Sequence, residues 1–318
     1  MLYPKLKENN NGPSPRLVLV CGPTSIGKTS MGVNLAQDIE GEIISADSMQ
    51  VYKHMDIGTA KPAHAEQRLV PHHMIDIIEP DDSFDAARFA KIATKIISEL
   101  VSQNKTPFIV GGTGLYIKAL LHGFSITDPA DPEILSRLKR EAEEDGPDFL
   151  HKKLRGCDKK SADRIHPNDT FRLIRALAVF EKTGKSISSH HENHMFRKNL
   201  FNALKIGLDI DRDKLYQRIN IRVDEMLENG FLDEVKKLLE MGFFENLKPM
   251  KSLGYRHMVD YIQRRHSWEE SVRLMKRDTR RYAKRQLTWF RADPDILWVK
   301  PDSFAYVKEK VMAFLNKK

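Results

Sequence analysis

A glycine-rich segment directly after a short apolar run constrains the fold of this chain more than any other feature. The apolar run is Arg16–Cys21, and residues 22–29 match the phosphate-binding pattern G-x-x-x-x-G-K-[ST]. A continuous apolar run of this length is typical of a strand that is buried on both faces of a parallel sheet. Because this motif leaves a strand and enters a helix, we predict a strand–loop–helix unit here.

The same segment, a P-loop, predicts a phosphate site. Its glycines let backbone N–H groups point at phosphate oxygens, and the following helix adds its partial positive charge. The Lys28 ammonium would contact a terminal phosphate, and the Thr29 hydroxyl could ligate Mg²⁺. The motif by itself indicates ATP. The predicted phosphate-binding residues are Gly22, Pro23, Thr24, Ser25, Ile26, Gly27, Lys28 and Thr29.

Strands and helices alternate around this motif and again near the end of the chain. Apolar runs predict further strands at residues 42–46, 74–78, 106–110, 204–210 and 296–299. Apolar periodicity predicts helices at residues 28–38, 83–104, 115–121, 211–227, 231–241, 267–290 and 303–315. This order predicts an α/β fold similar to that of P-loop nucleoside triphosphatases, with a parallel sheet flanked by helices.

The middle of the chain has a different pattern. Between residues 131 and 183 only helices are predicted, at residues 132–144, 148–154, 161–165 and 169–182. Asn168 is expected to cap the last of these helices, and Gly184 to end it. We therefore predict a flexible tail at residues 1–15, a core formed by residues 16–127 and 201–318, and an all-helical insertion domain at residues 128–200.

The positive charge is concentrated near the end of the chain. The formal net charge is +8, and residues 251–291 alone contain 12 Lys and Arg against 4 Asp and Glu. Within this window, basic residues recur at steps of three and four, with Tyr282, Trp289 and Phe290 interleaved. Such a helix face is typical of a surface that follows a nucleic-acid backbone, although a solvated charged helix would look similar. The residues are Arg273, Lys276, Arg277, Arg280, Arg281, Lys284 and Arg285.

Composition excludes several classes of protein. Two cysteines are too few for a disulfide framework or a Cys-rich zinc site. No apolar stretch approaches the roughly 20 residues that span a bilayer, so we expect a cytoplasmic protein without a membrane partner. The His-rich residues 190–194 could ligate a metal, but polar clusters of this kind are usually solvated loops. No extended apolar seam indicates a dimer, and a monomer is expected.

An acidic residue is missing where ATP hydrolases need one. The strand predicted at residues 106–110 ends in Gly111-Gly112-Thr113, with no carboxylate for Mg²⁺, which disfavours a conventional ATPase. A carboxylate does follow the strand at residues 42–46. Asp47 there could act as a base toward a nucleophile, or it could merely cap a turn.

Further polar residues would join the same site. Gln50 offers a donor and an acceptor suited to the edge of a base. The glycines of residues 111–114 would permit close backbone approach to a ligand. Arg218 and Arg222 share a helix face, and an arginine there could close on the anion, although a solvated face is equally consistent with the pattern.

In combination, these segments resemble the tRNA dimethylallyltransferase (tRNA isopentenyltransferase) family over nearly the whole chain. Individually several of them are weak, but in this order and spacing they are highly specific. The segments are residues 22–29, 42–52, 55–62, 71–73, 111–116, 165–169 with Arg172 and Arg175, 253–256, 279–286 and 288–291.

The resemblance implies an activity and residue roles. The family transfers a dimethylallyl group from its diphosphate to N6 of the adenosine at position 37 of tRNA, just 3′ of the anticodon. Asp47 would accept a hydrogen bond or a proton from the attacking amine. Thr113 and Arg222 would hold the diphosphate with Lys28, Thr29 and the loop amides, and Mg²⁺ would be the cofactor. Asp47, Thr113 and Arg222 would thus be the catalytic residues.

The resemblance also implies a surface for the anticodon arm of tRNA, formed by the insertion and the basic C-terminal third. The implied tRNA-binding residues are Asp47, Ser48, Met49, Gln50, Thr113, Phe171, Arg172, Leu173, Ile174, Arg175, Lys251, Ser252, Leu253, Gly254, Tyr255, Arg256, Arg280, Arg281, Lys284 and Arg285. One departure is Ser25-Ile26, where the family usually has Ala-Ser, so that the hydroxyl is shifted by one position.

Three other functions are weighed against this one. A nucleotide or small-molecule kinase would use ATP at the same loop and would have no need of the basic stripe. An RNA-binding ATPase is disfavoured by the missing acidic residue. An enzyme that prenylates free AMP would not need the basic C-terminal third.

Overall fold

The computed structural model describes residues 14–123, 131–189 and 200–317. The chain divides into two compact units, one formed by Met1–Leu121 with Leu200–Lys318 and the other by His122–Asn199. Nearly all of the predicted tail and the whole of the His-rich stretch 190–194 lie outside the described residues.

A single parallel sheet forms the centre of the first unit, as the sequence predicts. Its strands are β1 (Arg16–Cys21), β2 (Gly41–Ser45), β3 (His72–His73), β4 (Thr106–Gly111), β5 (Asn202–Leu208) and β6 (Leu297–Val299). Their order is β3-β2-β4-β1-β5-β6, and every neighbouring pair is parallel. Strand β1 lies between β4 and β5, with Val20 paired to Val110 and Ile206. The carboxyl ends of β1, β2 and β4 therefore meet at one edge of the sheet.

The helices of both units comprise the predicted ones, in the predicted order, together with two that were not predicted. They are α1 (Lys28–Asp38), α2 (His64–Leu69), α3 (Ala86–Ser102), α4 (Gly114–His122), α5 (Pro132–Glu144), α6 (Pro147–Cys157), α7 (Lys159–Ala162), α8 (Thr170–Thr183), α9 (Arg212–Glu228), α10 (Phe231–Glu240), α11 (Tyr255–Ile262), α12 (Trp268–Arg291) and α13 (Phe304–Asn316). Within the described residues, no helix is both long enough and apolar enough to cross a bilayer.

The core of the first unit lies against the sheet. Val18 and Val20 of β1 are fully buried, and they cluster with Leu35 of α1, Leu215 of α9 and Val307 of α13. Burial on both faces explains why β1 reads as a continuous apolar run rather than as an alternating one. Cys21 is buried at the end of this strand, and burial raises the pKa of its thiol to about 12.

The second unit is helical throughout its described part, with a core of its own. Leu138, Leu150, Leu154, Leu173 and Leu177 of α5, α6 and α8 are buried together. Gly184 follows α8 in the left-handed conformation, with φ of 67°, as the sequence predicts.

Three local predictions are wrong. The third strand is β3 and not residues 74–78, because Met74 and Asp76 have φ of 67° and 55°, which an extended strand cannot contain. The cap of α8 is Asp169, whose carboxylate accepts a hydrogen bond from the Arg172 N–H at 3.2 Å, and not Asn168. Helices α2 and α11 are absent from the prediction, and both are short, with six and eight residues.

Candidate active site

The P-loop connects β1 to α1 as predicted. Gly22 has φ of 145°, and a Cβ there would lie 2.9 Å from the Leu208 carbonyl oxygen of the neighbouring strand. Gly27, with φ of 103°, is the left-handed residue that turns the chain into α1. Both positions therefore require glycine, and the loop is held close to β5.

The Ser25-Ile26 departure has a structural explanation. The Ile26 side chain is fully buried in the core cluster. The second residue of the pair therefore packs in the hydrophobic core, and its side chain is not available to a ligand. The Ser25 hydroxyl is buried without a hydrogen-bond partner among the described residues, and Ser25 lines the cavity described below. An unpartnered hydroxyl at this place is available to a ligand.

The Lys28 ammonium is turned back onto its own loop, where it donates to the Pro23 carbonyl oxygen at 2.7 Å. Burial and the nearby Arg222 guanidinium lower the pKa of Lys28 to about 8, and the opposite charge of Asp47 offsets part of this effect. Burial also lowers the pKa of Arg222. These two cations and one carboxylate are therefore close enough to influence one another.

The two arginines of α9 have different positions. Arg222 lines the cavity with Lys28, whereas Arg218 donates to the Ile26 carbonyl oxygen at 3.3 Å and supports the P-loop. The geometry thus brings Arg222, and not Arg218, to the site.

Asp47 begins a tight turn at the end of β2. Its carboxylate oxygen Oδ1 accepts from the Met49 N–H at 2.8 Å. The Ser48 N–H donates to the Thr113 hydroxyl at 3.0 Å, and the Thr113 N–H donates to the Ala46 carbonyl at 3.0 Å. Thr113 thus lies beside the turn and helps to fix it, and its contact with a diphosphate stays a prediction.

The glycines of residues 111–114 pack closely against protein groups, and Gly111 also lines the cavity described below, so their approach to a ligand stays a prediction. A Cβ on Gly111 would lie 2.3 Å from the Ala46 carbonyl oxygen, and one on Gly112 would lie 2.3 Å from Gln286 Nε2. A Cβ on Gly114 would lie 2.1 Å from Trp289 Nε1. This loop is therefore packed against the Asp47 turn on one side and against α12 on the other.

Gln50 is engaged at both ends of its amide. Its carbonyl oxygen accepts from the Ser45 hydroxyl at 2.8 Å, and its Nε2 donates to the carbonyl oxygens of Thr59 at 3.4 Å and Ala60 at 3.1 Å. In this arrangement Gln50 anchors the Asp47 turn to the loop that contains Thr59. Its contact with a base stays a prediction.

These elements surround one cavity of about 360 Å³ in the first unit. The P-loop, Asp47 and Arg222 form its polar part. Its apolar part includes Met49, Ile219, Val223, Met226, Leu253 and Met275. A cavity with charged groups at one place and apolar side chains at another suits a ligand with an anionic head and a small hydrocarbon tail.

The basic residues of α12 lie opposite its buried positions, but they do not all face solvent freely. Lys276 pairs with Asp224 at 2.6 Å, and Arg280 donates to Asn220 at 2.7 Å, so both hold α9. Arg281, Lys284 and Arg285 are exposed, and Arg285 also lines the cavity. Some of the basic residues predicted to face a nucleic acid therefore bind α12 to α9 instead.

The segment predicted to touch tRNA at residues 251–256 lies largely at the cavity. Ser252, Leu253, Gly254 and Arg256 line it. Tyr255 does not, since it is 1% exposed and donates its hydroxyl to Glu234 Oε1 at 2.7 Å. A direct contact of the Tyr255 side chain with tRNA is excluded by this burial.

In the second unit, the prediction for residues 171–175 needs the same correction. Leu173 and Ile174 are 0% and 8% exposed and belong to the core of the unit, so their side chains are not available to tRNA. Phe171 is 82% exposed, and Arg172 is exposed beside Asp169. The prediction that this segment contacts tRNA through its side chains is therefore kept only for Phe171, Arg172 and Arg175.

Three residues of α12 for which the sequence predicts no role in the site are part of it. Gln286, Tyr282 and Thr279 of α12 line the cavity, and burial together with the nearby Asp47 raises the pKa of Tyr282. The buried residues of α12, which are Ser271, Met275, Thr279, Ala283, Gln286 and Phe290, recur at steps of three and four. Polar side chains on such a stripe are the signal that would have identified Thr279 and Gln286.

Comparisons with known proteins agree on one family. The family model described as IPP transferase matches residues 50–293. A tRNA dimethylallyltransferase of Desulfosudis oleivorans is 54% identical over 285 residues, which cover 90% of this chain and 91% of that protein. One from Geobacter sulfurreducens is 45% identical over 97% of this chain and 99% of that protein.

Solved structures agree with the sequences. The full-length tRNA isopentenylpyrophosphate transferase of Bacillus halodurans aligns with a TM-score of 0.71 and 41% identity, over 95% of this chain and 97% of that one. A eukaryotic dimethylallyltransferase acting on tRNA aligns with a TM-score of 0.81 and 29% identity, over 95% and 79%. With the family model matching most of its length, this chain belongs to the tRNA dimethylallyltransferase family.

Proposed function

We propose that this protein transfers a dimethylallyl group from dimethylallyl diphosphate to N6 of the adenosine at position 37 of tRNA and releases diphosphate. The observation that carries the proposal is a single cavity in which Asp47 faces the P-loop lysine and Arg222. Family membership supports the same activity.

The charged part of the cavity suits the leaving group. As the bond between the allylic carbon and the diphosphate oxygen breaks, negative charge develops on the diphosphate. Lys28 and Arg222 line the cavity together with the P-loop, and these cations and the loop N–H groups would stabilise that charge. Because both cations are partly buried, their attraction to the anion would be stronger than in bulk water.

Asp47 suits the attacking amine. Adenine N6 is a poor nucleophile, so the site must place it beside the allylic carbon and accept its proton. Oδ1 of Asp47 is held by the Met49 N–H, and Oδ2 has no hydrogen-bond partner among the residues described. The new bond joins N6 to the allylic carbon, and the N6 proton passes to Asp47.

The apolar side chains of the cavity suit the dimethylallyl group. Ile219, Val223, Met226 and Met275 offer hydrocarbon and sulfur surface with no strong donor or acceptor. Such a lining would also keep water away from the allylic carbon, which water could otherwise attack.

Mg²⁺ is proposed as the cofactor from the chemistry of the donor set. No group of three His, Cys, Asp or Glu side chains that could hold a metal occurs within the described residues. Mg²⁺ commonly binds through one or two protein groups together with substrate phosphates and waters, and the Thr29 hydroxyl at the P-loop fits that pattern. When bound, the ion would neutralise charge on the diphosphate.

The anticodon arm of tRNA is proposed to bind over the cavity mouth. Arg256, Arg281, Lys284 and Arg285 are exposed cations on α11 and α12, and two of them line the cavity. The base to be modified must leave its stack to reach Asp47. A tRNA substrate favours a cytoplasmic location, and the monomeric state stays a prediction.

One assay tests the proposal. The protein is incubated with labelled dimethylallyl diphosphate, Mg²⁺ and unmodified tRNA, and the label is expected on adenosine after nuclease digestion. A tRNA with guanosine at position 37 is the matched control and should remain unlabelled. Absence of label, with phosphoryl transfer from ATP to a small acceptor, would support the kinase alternative instead.

A further inference from the structure

Gln286 of α12 connects the two loops that form the polar end of the cavity. Its carbonyl oxygen accepts from the Thr24 N–H of the P-loop at 2.8 Å. Its Nε2 donates to the Gly112 carbonyl oxygen at 2.9 Å. The residue is 7% exposed, so both bonds are sheltered from water.

The Gln286 amide leaves no room for a side chain at Gly112 in residues 111–114, the glycine loop. Gly112 could not carry a Cβ, because that atom would lie 2.3 Å from Gln286 Nε2. One helical turn further along α12, the Trp289 ring occupies the corresponding space at Gly114. The glycine loop is therefore seated on α12 at two successive positions.

The bond to Thr24 matters for the P-loop itself. The N–H groups of such a loop converge, and without a ligand their partial positive charges repel one another. Gln286 supplies a neutral acceptor to the Thr24 N–H, and this holds the first half of the loop in place. The loop amides from Ser25 onward are left for phosphate oxygens.

We propose that Gln286 is a positioning residue that preorganises the diphosphate site. This inference rests on the proposed function, since it assumes that the P-loop holds the diphosphate of the prenyl donor. Gln286 would exert its role through the two loops that it bonds and not on the reacting atoms. It fixes the P-loop and the glycine loop relative to α12, so that the anion meets donors that are already aimed at it.

Gln286→Met tests the proposal, because methionine has a similar length and shape but makes neither hydrogen bond. We expect the KM for dimethylallyl diphosphate to rise about tenfold, the range expected when buried polar partners are lost. The inhibition constant of inorganic diphosphate should rise by the same factor. The dissociation constant for tRNA should change by less than about twofold. Gln286→Asn, whose amide is one methylene too short, should show the same direction.

Thr288→Ala is the matched control on the same helix, since the Thr288 hydroxyl is exposed and, among the residues described, bonds only to the Lys284 carbonyl of α12. It should leave all three constants unchanged. A Gln286→Met protein with lower thermal stability or lower kcat, but with unchanged KM and inhibition constant, would overturn the proposal in favour of a packing role.

Calorimetric titration of inorganic diphosphate with Mg²⁺ into each variant separates this inference from the proposed function. Weaker binding to Gln286→Met supports the positioning role even if the wild-type protein transfers no prenyl group. Equal binding to wild type and variant contradicts it even if prenyl transfer is found.

Discussion

Asp47 and Met49 are joined across the turn that follows β2, where Oδ1 of the carboxylate accepts the Met49 N–H at 2.8 Å. The bond fixes the carboxyl group with one oxygen toward its own backbone. This arrangement would orient Asp47 for its proposed role as a base, and it leaves Oδ2 without a hydrogen-bond partner among the residues described.

Asp47→Asn should therefore separate orientation from proton acceptance. Asparagine keeps an oxygen for the Met49 N–H but cannot take a proton from N6. We expect kcat to fall by at least about 100-fold in single-turnover prenyl transfer, with tRNA binding within about threefold of wild type. Asp47→Ala should also retain tRNA binding. Loss of tRNA affinity in both variants would assign Asp47 a structural role.

The Lys28 ammonium should give the reaction an alkaline limit. Since burial and Arg222 lower its pKa to about 8, the free enzyme loses this positive charge as pH rises through that value. We expect kcat/KM for dimethylallyl diphosphate to fall above about pH 8, because this ratio reports the free enzyme. The Lys28→Arg variant should not show this fall in kcat/KM above about pH 8, even if its activity is low.

The same lowered pKa also affects stability, in the opposite direction. As pH increases, kcat/KM is expected to fall, whereas the contribution of Lys28 to the free energy of unfolding is expected to rise. The folded protein releases the Lys28 proton near pH 8, whereas the unfolded chain retains it up to the ordinary value of 10.5. The unfolded state therefore binds more protons in this window, and the contribution of Lys28 to the free energy of unfolding rises with pH. Urea titrations of wild type and Lys28→Arg between pH 8 and 10 should differ in this slope, and equal slopes would contradict the assignment.

Glu234 of α10 should be a strong stabilising residue outside the cavity. Its carboxylate accepts from the N–H groups of Asp56 at 2.8 Å, Ile57 at 2.7 Å and Gly58 at 3.1 Å, and from the Tyr255 hydroxyl at 2.7 Å. Glu234→Ala leaves these donors without an acceptor, and we expect the free energy of unfolding to fall by about 3 kcal/mol.

Urea denaturation of graded variants checks the role of Glu234. Tyr255→Phe removes one of the four donors and should lower the free energy of unfolding by about 1 kcal/mol. Lys237→Ala, at an exposed position of the same helix, should change it by less than about 0.5 kcal/mol. Equal effects of Glu234→Ala and Lys237→Ala would show that the carboxylate does not hold this loop.

Phe171 of the helical unit should matter for tRNA binding and not for folding. Its ring is 82% exposed at the start of α8, so Phe171→Ala should change the free energy of unfolding by less than about 0.5 kcal/mol. If the ring stacks on a base or a sugar, the dissociation constant for tRNA should rise about tenfold. Phe149→Ala, a partly exposed phenylalanine of α6, is the control for filter binding. An unchanged affinity in Phe171→Ala would remove this residue from the tRNA surface.

Local patterns predicted most of the elements because those elements are defined by local physics. The bounds of β1, α1 and α5 agree with the predictions to the residue. The helices were found by their apolar periodicity, and Gly184 was found by its need for a left-handed conformation. The predictions failed at β3, where Met74 and Asp76 have positive φ and the N–H groups of Asp76 and Ile77 donate to the distant carbonyl oxygens of Gln50 and Val51.

For the site, sequence alone determined which chemical groups are present and approximately where they stand on the sheet. The P-loop, Asp47 after β2 and the missing acid after β4 follow from motif and strand order, because parallel strands bring their carboxyl ends to one edge. The tertiary structure agrees with the resemblance in bringing Arg222 rather than Arg218 to the cavity, and it alone shows that Gln286 meets Thr24, which lies 262 positions earlier in the chain. Such pairings depend on how α9 and α12 pack against the sheet, and no local pattern of residues specifies the packing of distant segments.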